Sequence, residues 1–215
     1  MAQRSAFSFP SSLYAIADTL GRPELSYIDL SQQICAGGAK ILQLRFKDHA
    51  AREFLSIARE VRTICQRCGC MLIINDRADI ALAVDADGVH VGQEDLPLAA
   101  ARQVLGPDKI IGVSTHDVAQ ATAAQREGAD YIGFGPLFGT QTKVTGYTAR
   151  GLDQLQTIRA QVHVPIVAIG GMSAERAPSA LHAGANAVAM ISDIVLAEQV
   201  TRKVQTTLDK LNGIS

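Results

Sequence analysis

The chain has 215 residues, 47% hydrophobic and 19% charged, with a formal net charge of -1 at pH 7. This length and composition fit a single globular domain over residues 1–215. The low net charge and the absence of Trp argue against nucleic-acid binding and against attraction to an anionic membrane. We see no signal peptide and no run near the roughly 20 apolar residues of a membrane-spanning helix, so we expect a cytoplasmic protein.

Short apolar runs recur along the chain and predict strands that begin at Leu13, Ile41, Leu72, Gly88, Ile110, Tyr131, Ile166 and Ala187. Segments with helical periodicity lie between them, such as "AAREFLSIAREVRTIC", which places Phe54, Ala58 and Val61 on one stripe. This alternation predicts an α/β fold, a single (β/α)8 TIM barrel. The alternative is an open doubly wound sheet, but "DTLGRPEL" after the first run lacks the G-x-G-x-x-G motif of a dinucleotide site.

The second run, "ILQLRFKD", alternates polar and apolar residues. Gln43, Arg45 and Lys47 share one face of the predicted strand, and the other face carries Leu42, Leu44 and Phe46. The apolar set suits the side that packs on helices, so the polar set is expected to point into the barrel and toward its C-terminal mouth. Because buried cations need an anionic partner, these residues predict a phosphorylated or carboxylated ligand.

Two acidic residues follow neighbouring strands. Asp76 comes directly after the third run with Asn75, and Asp95 lies in the loop "GQEDLP" after the fourth. Adjacent loops can bring these carboxylates together, where they would either form salt bridges with the cations or hold Mg²⁺ with substrate phosphates. We favour the magnesium site.

The later strand ends carry hydroxyls, glycines and one more cation. Ser114 ends the fifth strand, where we expect it to hydrogen-bond a ligand rather than act as a nucleophile, and His116 is interpreted as a helix cap. The loop "GPLFGTQTKVTGYTARG" after the sixth strand holds Lys143 and predicts a phosphate clamp and lid, although a solvated loop would look similar. Loops after strands seven and eight, with Gly171 and Ser192, predict a second anion site.

Three of the four cysteines are clustered, as Cys65, Cys68 and Cys70 in "CQRCGC". A zinc site would need Cys35 as its fourth ligand. Structural zinc sites usually show two paired ligand sets, so we interpret the cluster as reduced thiols at a helix end and the start of the next strand.

Seven segments together resemble the thiamine-phosphate synthase family, in the same order from Leu13 to about Ala197. They are "QLRFK", "INDRADIALA", "DGVHVGQEDLP", "IGVSTH", "GADYIGFGPLFGTQTK", "PIVAIGGM" and "AVAMIS". The resemblance implies a transferase that joins hydroxymethylpyrimidine diphosphate to thiazole phosphate and releases diphosphate. It implies Mg²⁺ as cofactor and a dissociative reaction, in which a pyrimidine-methyl cation is captured by the thiazole nitrogen. Such a reaction needs positioning and charge stabilisation more than a general base.

The resemblance also implies site residues. Arg45, Lys47 and Lys143 would be catalytic, neutralising charge on the leaving diphosphate. Asp76 and Asp95 would bind magnesium. The residues implied in substrate binding are Gln43, Leu44, Arg45, Phe46, Lys47, Asn75, Ser114, Thr140, Gln141, Thr142, Lys143, Gly171, Ile191 and Ser192.

Two other functions stay open. A related thiazole tautomerase uses a histidine on the sixth-strand loop, where this chain has Pro136 in "FGPLF", and tends to lose the magnesium carboxylates. A non-catalytic relative that binds thiamine precursors would not need Asp76, Asp95 and Lys143 together, although Gly139 stands where the family usually has Pro. The expected partners are small-molecule substrates, with the thiazole or its carboxylated form undecided, and a homo-oligomer is an open alternative.

Overall fold

Each apolar run forms a strand that pairs in parallel with the next, and the last strand returns to the first, which closes a barrel. The computed structural model describes residues 7–19, 22, 24–47, 49–139 and 148–213. Its strands are β1 (Leu13–Ala17), β2 (Ile41–Leu44), β3 (Met71–Asn75), β4 (Gly88–Val91), β5 (Ile110–Thr115), β6 (Tyr131–Phe134), β7 (Ile166–Ala168) and β8 (Ala187–Met190). The predicted (β/α)8 barrel is therefore confirmed.

Helices connect the strands and cover the outside of the barrel. They are α1 (Tyr27–Ala36), α2 (Ala51–Cys68), α3 (Ala78–Ala83), α4 (Leu98–Leu105), α5 (Val118–Arg126), α6 (Gly151–Gln161), α7 (Ala177–His182), α8 (Ser192–Val195) and α9 (Val200–Asn212). Helix α2 buries Phe54, Ala58, Val61 and Cys65, which recur at helical spacing and form its inner stripe. Among the described residues, no helix combines the length and the apolar character needed to cross a bilayer.

The alternation of side chains along the strands sorts the core into two layers. One layer lies between strands and helices and includes Leu42, Leu44 and Phe46. The other fills the barrel interior and includes Tyr14, Tyr131 and residues from six further strand positions, Ile16, Ile41, Ile73, Val167, Ala187 and Ala189. Phe7 and Phe9 pack edge-on against each other, and the Phe9 ring lies 5.2 Å from that of Tyr131. The N-terminal segment thus fills one end of the interior, and the site lies at the other end.

Candidate active site

A cavity opens at the C-terminal mouth of the barrel, where this fold carries its active sites. Its walls come from strand ends and the loops that follow them. Seven residues expected in the site line it, namely Gln43, Arg45, Asn75, Ser114, Gly171, Ile191 and Ser192. The strand register brings these distant parts of the chain to one rim, since Leu44 lies opposite Ile74 and Asn75 lies opposite His90.

The polar face of β2 points inward, as its alternation predicts. Gln43 is buried, and the Arg45 guanidinium forms an ion pair with Asp18, whose side chain is 1% exposed. The amino group of Lys47 lies 2.9 Å from the Asp76 carboxylate. Sequence reasoning missed Asp18, a buried carboxylate that follows β1 directly. Both cations therefore have carboxylate partners. Arg45 lines the cavity, whereas the Lys47 side chain is 37% exposed and is not part of the cavity lining.

The apolar face of β2 points away from the cavity. Leu44 is fully buried in the outer layer, and the Phe46 ring packs edge-on against Tyr27 and stacks on His49. The side chains of Leu44 and Phe46 therefore face away from the cavity, because alternate residues of a strand face opposite sides. Their predicted part in substrate binding stays a prediction. Only the backbone at these two positions remains available to a ligand.

A pair of carboxylates lies beside Lys47. The Asp76 and Asp95 side chains are in hydrogen-bonding contact, and burial, followed by this contact, raises the pKa of Asp95. Asp95 also accepts a hydrogen bond of 2.7 Å from the backbone N–H of Gly92, which fixes its orientation. Two touching carboxylates repel each other when both are ionised, so the pair has a high affinity for a proton or a cation.

The backbone at Asp76 is held in an uncommon conformation. Its φ is +62°, in the left-handed region that non-glycine residues rarely occupy. The Asp76 N–H donates to the His90 carbonyl across 2.8 Å, so the turn after β3 is tied to β4. This strained turn directs the Asp76 carboxylate toward Lys47 and Asp95, and strain of this kind is concentrated at functional sites.

A chain of hydrogen bonds crosses the barrel interior below the cavity. Gln43 Nε2 donates to the Tyr14 hydroxyl (2.9 Å), which lies 2.8 Å from the Tyr131 hydroxyl. The Tyr131 hydroxyl contacts His90 Nδ1 (3.0 Å), and His90 Nε2 contacts the Ser114 hydroxyl (2.9 Å). Burial raises the pKa of both tyrosines, so they stay protonated.

Two arrangements of hydrogens fit this polar chain, because a hydroxyl has one hydrogen and two acceptor lone pairs. In one arrangement Tyr14 donates to Tyr131, Tyr131 donates to His90 Nδ1, and His90 Nε2 donates to Ser114, so the Ser114 hydroxyl donates to an acceptor in the cavity. In the other arrangement every bond after Gln43 is reversed, and Ser114 donates to His90. The sequence analysis did not identify Tyr14, His90 and Tyr131. Their only sign in the sequence is a polar side chain at a strand position that faces the barrel interior.

His116 has a different role from the predicted one. The helix cap of α5 is Asp117, whose side chain accepts a 2.8 Å hydrogen bond from the Gln120 N–H. The His116 ring lines the cavity and donates from Nδ1 to the Gly135 carbonyl across 2.6 Å. The interpretation of His116 as a cap is therefore wrong by one residue.

The opposite side of the mouth is formed mainly by backbone atoms of the glycines that follow β7. Gly170 and Gly171 have φ values of +96° and +61°, and a Cβ on Gly171 would lie 2.5 Å from the Gly139 carbonyl oxygen. The absence of side chains here lets the chain after β7 pass against the chain after β6, with the Phe138 N–H bonded to the Gly170 carbonyl at 3.0 Å. Ser192 opens α8 on the adjacent strand end.

Four expected site residues lie outside the described residues, namely Thr140, Gln141, Thr142 and Lys143. The predicted clamp and lid depend on them.

The polar chain predicts a stability effect. Tyr131→Phe removes the hydroxyl between Tyr14 and His90 and leaves both without that buried partner. We expect a loss of about 1–3 kcal/mol in the free energy of unfolding, measured by chemical denaturation. Tyr27→Phe is the matched control, because the Tyr27 ring packs on Phe46 outside the barrel, and we expect it to change stability by less than about 0.5 kcal/mol. Equal losses of unfolding free energy in the two variants would contradict the stabilising role of this hydrogen-bond chain.

Comparisons with known proteins agree with this geometry. The family model TMP-TENI, thiamine monophosphate synthase, matches residues 13–194. The chain is 45% identical to the thiamine-phosphate synthase of Chloroflexus aurantiacus over 192 residues, 88% of this chain and 87% of the relative. It is 43% identical to that of Chlorobium luteolum, over 88% and 89% of the two chains.

A solved structure gives the same answer. Thiamine phosphate pyrophosphorylase from Pyrococcus furiosus superposes with a TM-score of 0.87 at 33% identity, over 94% of this chain and 96% of that one. The family model and the structural superposition both cover most of the chain. The chain therefore belongs to the thiamine-phosphate synthase family.

Proposed function

We propose that the chain joins 4-amino-2-methyl-5-hydroxymethylpyrimidine diphosphate to 4-methyl-5-hydroxyethylthiazole phosphate, giving thiamine phosphate and diphosphate. The observation that carries the proposal is a single cavity with two different sides. One side has Arg45 and Asn75 in the cavity wall, and the carboxylate of Asp76, the next residue along the chain, contacts Lys47 and Asp95. The other side has Gly171 and Ser192. A reaction between two phosphorylated substrates needs an anion site at each end of the cavity.

The diphosphate belongs on the side of the cations. Arg45 uses Nη1 for Asp18, and a guanidinium has further N–H donors that suit phosphate oxygens. Lys47 adds a second positive charge. Lys143, Thr140, Gln141 and Thr142 are assigned to the same diphosphate on the resemblance alone.

Mg²⁺ fits the carboxylate pair. It prefers one or two carboxylates together with substrate phosphates, and the contact between Asp76 and Asp95 calls for a cation. We propose these two residues as its ligands, and when bound the ion would offset the negative charge that develops on diphosphate. Lys47 places a positive charge 2.9 Å from the Asp76 carboxylate.

The pyrimidine is assigned to the floor of the cavity. Ser114 would form a hydrogen bond with a ring nitrogen, while Gln43 and Asn75 would orient the ring and its diphosphate. His90 is unsuited to act as a base, because Tyr131 and Ser114 occupy both ring nitrogens. A dissociative reaction needs no base at this point. The C–O bond to diphosphate breaks, and the thiazole nitrogen supplies the electron pair for the new N–C bond.

The thiazole phosphate is assigned to the backbone side, with Gly171 and Ser192 on its phosphate and Ile191 against its ring. Ile191 packs on the interior apolar cluster, which suits contact with a flat heterocycle. This arrangement would place the thiazole nitrogen across the cavity from the bond that breaks.

The test is a reconstitution with each component omitted in turn. Purified protein, Mg²⁺ and both substrates are expected to give thiamine phosphate and diphosphate, resolved by chromatography and mass spectrometry. Isomerisation of carboxylated thiazole phosphate without condensation would overturn the proposal in favour of the tautomerase. Binding of both substrates without product would favour the non-catalytic relative.

We further propose that the reaction takes place in the cytoplasm. All four cysteines are free thiols, which is typical of proteins in a reducing compartment.

A further inference from the structure

The four cysteines of the chain meet at one place in the fold, where Cys35 lies beside three cysteines that follow it about 30 residues later in the sequence. Cys35 lies in the last turn of α1, and Cys65 and Cys68 lie one turn apart at the end of α2. Cys70 immediately precedes β3. The sulfur atoms of Cys35, Cys65 and Cys70 all lie within 4.8 Å of one another, and all three residues are buried.

The fourth thiol lies next to this group on the solvent side. Cys68 is exposed, and its sulfur is not among the three that lie within 4.8 Å of one another. It nevertheless contacts Cys35, and the contacts of Cys35 with Cys65, Cys70 and Cys68 lower the pKa of Cys35. Rotation of the exposed Cys68 side chain would bring in the fourth ligand.

Local backbone geometry creates the cluster. Helix α2 ends at Gly69 in the left-handed conformation, with φ of +60°. The Cys70 N–H bonds to the Cys65 carbonyl at 2.9 Å and the Gly69 N–H bonds to the Gln66 carbonyl at 3.3 Å, which is the Schellman arrangement. This turn folds Cys70 back beside Cys65. Helices α1 and α2 pack together, which brings Cys35 against the pair.

We propose that Cys35, Cys65, Cys68 and Cys70 form a structural zinc site at the N-terminal end of the barrel, opposite the mouth. The sequence contains no paired ligand sets, which by itself favours reduced thiols at these positions. The fold supplies the missing partner by placing Cys35 beside the others. The site would tie α1 to the junction of α2 and β3, independently of the reaction at the mouth.

The sulfur positions select the metal. A tetrahedral zinc site has Zn–S bonds of about 2.3 Å, which places its sulfurs roughly 3.8 Å apart. The three buried thiols lie within 4.8 Å, so small side-chain rotations reach this spacing. Sulfurs bound to different irons of an iron–sulfur cluster stand further apart, with the cluster between them. Soft thiolate ligands in a closed tetrahedral set favour Zn²⁺.

The surroundings offset the charge that four thiolates would leave on the site. Contact with Cys35 raises the pKa of Cys65, and the positive charge of Arg62, one turn earlier, opposes this rise. Arg62 also pairs with Asp87 at 2.7 Å, and its Nε atom is buried without a hydrogen-bond partner in the described part of the chain. Burial raises the pKa of Cys68, and Lys40 opposes that rise. These cations would stabilise a zinc–thiolate centre at the edge of the fold.

The test uses cobalt and zinc on reduced, metal-stripped full-length protein. A single equivalent of Co²⁺ is expected to give thiolate-to-cobalt charge-transfer absorption, which Zn²⁺ then abolishes by displacement. Carboxylates at the mouth cannot produce this absorption, so binding there does not interfere. Zinc at about 100 times its Kd is expected to raise the Tm by roughly 5–10 °C.

Two variants make the test specific. Cys68→Ser changes an exposed side chain, so the fold should survive, and we expect zinc affinity to fall by at least about tenfold. Gln66→Ser alters a neighbouring exposed position on the same helix and should bind zinc as the parent does. The proposal is overturned if the folded parent gives no thiolate–cobalt absorption. It is also overturned if the two variants bind zinc equally, or if the protein as purified holds iron in place of zinc.

Discussion

The double variant Asp76→Asn/Asp95→Asn is expected to lower kcat/KM for thiamine phosphate formation by about a thousandfold or more. The two carboxylates touch, and the pair is the proposed magnesium site. Asparagine keeps the size of each side chain and removes the charge that holds the ion. Removal of Mg²⁺ from the parent by EDTA should cause a similar loss, and added Mg²⁺ should restore activity in the parent alone.

The double variant should lose activity without losing stability. Two contacting carboxylates repel, so their neutralisation is expected to leave the free energy of unfolding unchanged or higher. Asp79→Asn is the matched control, because Asp79 pairs with Arg77 on the first turn of α3, away from the carboxylate pair. We expect this control to retain activity. Full activity of the EDTA-treated parent would show that the carboxylates do not hold a catalytic metal.

Arg45→Met is expected to lower kcat by about 100- to 1000-fold, the loss typical of removing one positioned group that stabilises developing charge. It should also destabilise the fold by about 3–5 kcal/mol, because Asp18 is almost fully buried and loses its guanidinium partner. Steady-state kinetics and chemical denaturation measure the two effects separately.

The double variant Arg45→Met/Asp18→Asn separates catalysis from folding. It removes both charges of the buried pair, so we expect most of the lost stability to return while kcat stays low. If activity returned together with stability, Arg45 would be only the partner of Asp18, and the diphosphate assignment would fail. Arg45→Lys keeps a positive charge but loses the planar donor set, so an intermediate kcat is expected.

The parts of the site that depend on strand periodicity were predictable from the sequence. The inward direction of Gln43 and Arg45 follows from alternation in β2, and the contact between Asp76 and Asp95 follows from the adjacency of β3 and β4. The fold was predictable for the same reason, since apolar runs and helical stripes alternate along the whole barrel.

Features that depend on tertiary contacts were not predictable. Asp18 could equally have been a solvated loop residue, and only closure of β1 against β2 buries it beside Arg45. Tyr14 and Tyr131 are 117 positions apart, and nothing local shows that their hydroxyls meet. Cys35 is the only candidate in the sequence for a fourth thiol ligand, and helix packing rather than sequence spacing brings it to the other thiols.

The polar chain from Gln43 to Ser114 constrains how this protein can evolve. Loss of one member leaves a buried donor or acceptor unpaired, whereas replacement of neighbouring members together by apolar groups of similar shape can be nearly neutral. In related sequences, positions 14, 43, 90, 114 and 131 should therefore change as a set rather than one at a time. Sequences without this hydrogen-bond chain would also lose the His90 partner that positions the Ser114 hydroxyl, so covariation at these five positions should mark a change in what the cavity accepts.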